Sequence, residues 1–419
     1  MPAKKTAKKT VKKGEKKAAK KTAKKAATVE ETQKKVVREL SPHARFAFKQ
    51  DAIGELLGDE STAALEKIYG KVLFRADEGL GRARFWSTGN VALDNALGGG
   101  LMRGRIHMLY GPESSAKTHT CFTTIAATQK TCSLTGRHLY YDQVAPKKAR
   151  QSVCLYVGTE ADFYPEWAEC AGVDLKNLLV SFADHAEFGL DTVSTFIDQC
   201  KVDLVIIDSL ACLAPKREVE MSVAAENPGL MARVIGKGVR KILSGLTDAY
   251  RRNLEDPSLR VPTFLFTNQM RVDLGVKFGS PETVSGGKAP RYAACTETRF
   301  SKARQMPARP GVLGPEWAEC KANVKKNKTG RPGRLAEWNI RLQDTESKNA
   351  GEVEDEVRLI YLGKQSGVIA REGNKWVVHT VEGRVFPKQE DLMRALEEEP
   401  DLKHHTRQAI FSVLHGTPL

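Results

Sequence analysis

Between residues 105 and 269, short apolar runs alternate with longer stretches of helical spacing. RIHMLY (105–110) runs into a glycine-containing turn, VCLYVG (153–158) is a second run and TFLFTNQ (263–269) is a fourth. The third, DLVIIDSLACLA (203–214), holds the consecutive Val, Ile and Leu residues that suit a strand buried on both faces. LMARVIGKGVRKILSGLTDAYRR (230–252) reads as an intervening helix. Such alternation predicts an α/β fold with a mostly parallel sheet and helices on both faces. Upstream, Ile53, Leu56 and Leu57, then Ala64, Leu65 and Ile68, recur at helical intervals within 44–69; Gly70 is a stop, and KVLFRA (71–76) reads as a short strand. This N-terminal helix-strand arm has an apolar face and little beside it to cover that face, so it packs either on a neighbouring subunit or on its own core. Polar and basic residues at 131–152 break the rhythm and read as an inserted loop. A polar, acidic stretch, QDTESKNAGEVEDE (343–356), precedes a small α/β C-terminal domain. That domain should hold a helix through VRLIYLGKQSG, two strands in KWVVHTVEGRVF, and helices in EDLMRALEEE and LKHHTRQAIFSVL. The expected organisation is a tail (1–40), the arm (41–81), a core (82–343) and the C-terminal domain (344–419).

Composition adds a tail to this picture. The chain has 419 residues, 41% of them hydrophobic, and no apolar run long enough to span a bilayer. Its net charge is +15, of which residues 1–25, with twelve lysines and one glutamate, carry +11. Lysine pairs recur there every four residues, with almost nothing apolar to bury, so the segment should be disordered when free. A solubilising or targeting tail is one reading. The regularity favours a polyanion-binding tail for nucleic acid, salt-dependent and blind to sequence. The eight cysteines are scattered, without a C-x-x-C pair, and no apolar leader core opens the chain. Free thiols in a reducing cytosol are the expectation.

The candidate chemistry begins where RIHMLY meets GPESSAKT (111–118), followed by helical spacing. Strand, loop and helix in that order, with Gly111, Pro112, Glu113, Ser114, Ser115, Ala116, Lys117 and Thr118, nearly match the phosphate-loop pattern G-x-x-x-x-G-K-[ST]. Backbone N–H groups and the helix N-terminus would cradle phosphate oxygens, Lys117 would reach the terminal phosphates, and the Thr118 hydroxyl would ligate Mg²⁺. Ala116 stands where the pattern has its last glycine. Its methyl group blocks a positive φ or crowds the phosphates, unless the residue is already helical, in which case alanine costs nothing. A decayed, non-binding loop is the blander reading. Asp208 closes the apolar strand DLVIID, where a carboxylate can hold Mg²⁺ through water, and Glu160 follows another strand, where it can orient or deprotonate water. Alone, each would be an ordinary turn or cap residue.

Taken together, GPESSAKT, the glutamate after VCLYVGT, LVIIDSLACLAPKREVE, FTNQMRVDLGVKFGSPETVSGGKA and KKNKTG resemble bacterial RecA recombinases, in the same order. The likeness spans roughly 50–419, with breaks at 131–152 and around 303–318, and RVDLGVKFGSPETVSGGKA is similar to the family's second DNA-binding loop. The resemblance implies a RecA-type ATP- and Mg²⁺-dependent ATPase core that forms helical filaments of itself on single-stranded DNA and exchanges strands with duplex DNA. It also implies a cytoplasmic, nucleoid-associated protein with single-strand-binding and mediator proteins as partners. It assigns Glu160 as general base, Gln269 as the sensor coupling the γ-phosphate to DNA, and Trp167 as the ring on adenine. Lys326 and Lys328 are assigned to the neighbouring subunit's phosphates, acting in trans; without the family, KKNK is a basic turn. Arg233 and Arg240, seven residues apart on one helical face, Arg271, Leu274, Gly286, Gly287 and the adjoining Lys288 are assigned to DNA.

Three departures qualify the likeness. Asp273 stands where relatives carry a basic residue, Pro228 alters the first loop (220–230), and the chain ends in HGTPL without the acidic tail of many relatives. With a basic N-terminal tail added, these point to a protein biased towards DNA capture. The competing readings are a RecA-like filament protein with weak or no hydrolysis, a helicase or repair ATPase with the same core, and a histone-like packaging protein. The second loop argues against the helicase, and a packaging role explains nothing about 105–330.

Overall fold

The structure is a computed structural model. It describes residues 60–69, 84–142, 144, 149–160, 163–222, 229–272, 282–306, 314–345, 348–380 and 383–416. Its contacts divide the chain into two units, 1–78 and 79–419. Of the first, one helix is described, Glu60–Tyr69, with an acidic residue in its first turn and Lys67 in its last, as the helix dipole favours. Ala64 and Ile68 of the expected apolar face are exposed, Ile68 by 71%. Ile53, Leu56, Leu57 and the strand expected at 71–76 lie outside the described residues.

The second unit opens with a two-stranded pair, β1 (Phe85–Trp86) and β2 (Leu101–Met102). Among the described residues a ten-stranded sheet follows: β3 (Ile106–Gly111), β4 (Cys154–Gly158), β5 (Leu178–Phe182), β6 (Leu204–Asp208), β7 (Thr263–Val272), β8 (Glu282–Val284), β9 (Thr296–Phe300), β10 (Arg304–Gln305), β11 (Trp317–Asn327) and β12 (Leu335–Arg341). Six strands run parallel in the order β9-β3-β7-β6-β4-β5. The apolar runs form strands because both sides of each are buried. Leu109, Cys154, Tyr156, Leu204, Ile206 and Leu265 face one core, beneath the helices Val91–Leu97 and Lys117–Gln129. Their neighbours Met108, Leu155, Val157, Val205, Ile207, Phe264 and Phe266 face the other, beneath Ala186–Asp198 and Leu230–Glu255. The side chains thus alternate between two covered faces, as a parallel sheet requires.

The four apolar runs are the strands expected from the pattern. The antiparallel extension from β9 through β11 to β12 carried no such signal. β11 and β12 bury one face each, and alternating WAECKANV places Ala318, Cys320, Ala322 and Val324 inward among polar neighbours.

The C-terminal part has the expected helices, Glu356–Ser366, Gln389–Glu398 and Pro400–His415. Its sheet has three strands where the sequence pointed to two: β13 (Ile369–Glu372), β14 (Lys375–Val378) and β15 (Arg384–Phe386). The last helix is tied to the core by an ion pair from Arg407 to the buried Asp94. The 131–152 insertion adds a second tie. Its Asp142 carboxylate accepts from His404 Nε2 at 2.8 Å, Gln408 Nε2 at 3.0 Å and the His138 N–H at 2.6 Å.

Candidate active site and nucleic-acid surface

The phosphate loop leaves the C-terminal end of β3. Gly111 is obligatory there, since a Cβ would lie 2.5 Å from the Phe300 carbonyl oxygen at the end of β9. Ser114 and Ala116 both have positive φ, 54° and 68°. Ala116 is left-handed (ψ 23°) and immediately precedes the helix Lys117–Gln129. The helical alternative for this position is therefore ruled out. An alanine in that region costs about 1–2 kcal/mol, offset in part by packing of the residue against the core. The helix has no side-chain cap at its N-terminus and no acid in its first turn, so its N–H groups face an anion without competition. Lys117 Nζ donates to the carbonyls of Gly111 (3.2 Å) and Pro112 (2.6 Å) and to Ser115 Oγ (3.2 Å). Burial lowers its pKa, while the carboxylates of Asp208, Glu113 and Glu160 pull it upward.

Strand register brings the other candidates beside the loop. Gly111 pairs with Gln269 on β7, and Gly158 at the end of β4 pairs with Asp208 at the end of β6. Four adjacent strands thus deliver Lys117, Gln269, Asp208 and Glu160 to one edge of the sheet. Asp208 accepts from Tyr156 Oη at 3.1 Å and from Thr267 Oγ1. Glu160 Oε1 accepts from Ser209 Oγ at 3.1 Å and from the Cys212 thiol. Among the described residues no cluster of three or more His, Cys, Asp or Glu side chains could hold a metal. Thr118 and Asp208 nevertheless fit Mg²⁺, which takes one or two protein oxygens and completes its shell with water and phosphate.

A cavity of about 560 Å³ adjoins the loop, lined by Ser114, Lys117, Thr118, His119, Trp167 and Gln305 among others. Its size is that of a small-molecule site. Trp167 packs against the His119 ring, centroids 5.8 Å apart. His119 is buried, bonded through Nε2 to the Gly351 carbonyl at 2.7 Å, and held neutral, its pKa pushed down to about 4 by burial. This presents an uncharged aromatic wall.

Lys326 and Lys328 lie elsewhere. Cys295 donates its N–H to the Ile106 carbonyl at the start of β3, and Lys328 donates its N–H to Cys295. Lys328 is therefore level with Ile106, about 16 Å down β3 from Gly111 at 3.3 Å per residue, and Lys326, paired with Glu297 opposite Met108, is about 10 Å down it. Lys326 Nζ sits 3.5 Å from the buried carboxylate of Glu297 and donates to the Arg291 carbonyl. Lys328 Nζ is 3.4 Å from the Tyr292 carbonyl.

Of the residues assigned to DNA, Arg233 and Arg240 are exposed on the helix Leu230–Glu255. Gly286 and Gly287 have positive φ, and a Cβ on them would meet Ile235 at 3.3 Å and Ala232 at 3.0 Å. The glycine turn thus lies directly on the first two turns of that helix, beside Arg233, and the exposed Lys288 follows it. Arg271 pairs its backbone with Thr283 on β8. Leu274, Asp273 and Pro228 lie outside the described residues.

Several residues were not foreseen: Tyr156 and Thr267 holding Asp208, Ser209 and Cys212 holding Glu160, and His119 against Trp167. Asn268 is another; its side chain donates to the Ser285 carbonyl at 2.9 Å, linking β7 to the glycine turn next to Gln269. Only Asn268 had a signal, as a polar residue inside an otherwise apolar strand.

A family model described as the RecA N-terminal domain matches residues 59–142 and 135–345. Protein RecA of Staphylococcus aureus strain JH9 is 32% identical over 342 residues, covering 81% of this chain and 86% of that protein. Protein RecA of strains Newman and N315 matches with the same identity and extent.

Proposed function

The chain belongs to the RecA family, and from that premise we propose that it is an ATP-dependent homologous recombinase that forms helical filaments on single-stranded DNA and exchanges strands with duplex DNA. One observation carries the reading: Lys117, Gln269, Asp208 and Glu160 meet at the ends of four neighbouring strands, beside an aromatic-walled cleft. The loop N–H groups and Lys117 bind the phosphates of ATP, Trp167 takes the adenine, and Glu160 accepts a proton from the attacking water. Thr118 and Asp208 would hold Mg²⁺, which would supply positive charge beside the phosphates. Gln269 reports the γ-phosphate along β7, where Asn268 grips the glycine turn.

Lys326 and Lys328 act on the neighbouring protomer's nucleotide, so hydrolysis waits for the filament. Their position across the sheet from their own loop supports this reading. Two surfaces suit assembly: the exposed Ala64–Ile68 face in the N-terminal arm (41–81), and β5. Among the described residues β5 pairs only with β4, and it exposes Leu179, Val180 and Phe182. Apolar edge strands of this kind invite strand addition. Arg233, Arg240, Arg271, Leu274, Gly286, Gly287 and Lys288 track the DNA backbone and its bases, and the lysine tail (1–40) adds sequence-blind affinity. The C-terminal domain (344–419) rides on the core of its own protomer, in one unit with it. Single-strand-binding and mediator proteins are the expected partners, in a nucleoid-associated cytoplasmic setting.

The test is ATP turnover with and without single-stranded DNA, beside electron microscopy with an ATP analogue. DNA-stimulated turnover and helical filaments are expected. A chain that stays monomeric with both ligands and shows no affinity for the analogue overturns the reading.

A further inference from the structure

The Glu160 carboxylate is gripped from the next strand, by the segment that follows Asp208. Thr159 laces the two together: its N–H donates to the Asp208 carbonyl at 3.0 Å, its hydroxyl donates to the Ser209 carbonyl at 3.1 Å, and it accepts the Ser209 N–H at 2.9 Å. A short 3₁₀ turn, Leu210–Cys212, then carries Cys212 back over the site. The Ser209 hydroxyl and the Cys212 thiol both donate to the same oxygen, Oε1. Among the described residues no hydrogen bond falls on Oε2. Of the eight cysteines, six are buried; only Cys170 and Cys212 are exposed.

We propose that Cys212 is a positioning residue for hydrolysis. With Ser209 it fixes the rotation of the Glu160 carboxylate, so that Oε1 is satisfied by the protein and Oε2 is the atom presented to water. Two fixed donors on one oxygen leave a single basic atom with a defined direction, which general-base chemistry needs. The inference rests on Glu160 being the base, and no bond is made to sulfur.

The experiment compares DNA-stimulated ATP turnover of the full-length chain with Cys212→Ala, Cys212→Val, Cys212→Ser and Glu160→Gln. Cys212→Ala and Cys212→Val should each lower kcat about tenfold, with KM within about twofold. Cys212→Ser, which keeps a donor, should restore kcat. If Cys212→Val behaves like the parent, the side chain acts by filling space and the proposal is wrong. It is equally wrong if Cys212→Ala raises KM as much as it lowers kcat, or if Cys212→Ser does not recover turnover. Glu160→Gln separates the two levels. Full turnover in that variant removes Glu160 as base, whereas its loss alongside an unaffected Cys212→Ala removes only the role of Cys212.

Discussion

The two edges of the parallel sheet differ in kind. At the C-terminal edge, β3, β7, β6 and β4 each end in a polar residue or turn that meets the others, and the groups support one another: Tyr156 and Thr267 on Asp208, Ser209 and Cys212 on Glu160. At the N-terminal edge, Lys326 and Lys328 have local partners, Glu297 and two loop carbonyls. Taken as proposed above, the first edge is a site complete except for one charge, and the second holds that charge. On the proposed reading, each protomer supplies what the next one lacks, which is how a head-to-tail polymer ties chemistry to assembly.

The largest effect should come from the complete edge. Lys117→Ala should abolish ATP-dependent filament assembly and turnover, while tail-driven, salt-sensitive binding to DNA partly survives; filter binding at two salt concentrations beside turnover checks both. Normal turnover would remove the phosphate-loop assignment. At the other edge, Lys326→Ala should lower turnover by about 10³–10⁵-fold, the scale of a charge supplied in trans, with analogue affinity within about twofold. Equal loss of both would place Lys326 in its own subunit's site or in the fold.

Two smaller effects concern histidines and the loop alanine. His107, buried on β3 and bonded to Thr296 and the Met102 carbonyl, and His119 beside the loop are each pushed down to about 4 by burial. They stay neutral in the folded chain while the unfolded chain takes up protons below about pH 6.5. Their contribution is therefore whole above that pH and declines towards 4, costing roughly 2 kcal/mol each at pH 5. Asp355, buried and raised to about 6, acts in the opposite direction, returning about 1 kcal/mol. Urea denaturation at pH 7 and pH 5 should show a net loss of roughly 2–3 kcal/mol; equal stability would contradict the buried neutral imidazoles. Finally, Ala116→Gly should raise stability by about 1 kcal/mol by relieving the left-handed alanine, read as a small rise in melting temperature.

The same contrast explains what was legible in the sequence. Lys117, Asp208 and Glu160 were readable because each follows an apolar run, and such runs locate strands directly; Gln269 gained its role only from the family resemblance. The conformation of Ala116 was not readable, since the same residue suits a helix start or a strained loop until its dihedrals are known. β11 and β12 were missed because a one-sided antiparallel strand, with Lys321 and Lys325 among its alternating residues, carries less apolar signal than a strand buried on both faces; β9 was missed because the residues it buries are mostly polar, Thr296, Glu297 and Thr298. The grips on Glu160 and Asp208 come from residues 49 to 59 positions away, a distance over which spacing says nothing. Lys326 and Lys328 gained a role only from the family resemblance; as residues they were a basic turn.

The most direct measurement is a mixing experiment. Glu160→Gln keeps the phosphate loop and both trans lysines, while Lys326→Ala keeps the base. Each alone should turn over ATP poorly on single-stranded DNA. Mixed in equal amounts, about a quarter of the junctions in a head-to-tail filament would join an intact base to an intact lysine, so turnover should recover to roughly that fraction of the parent. A mixture as inactive as its two components would contradict nucleotide shared between protomers.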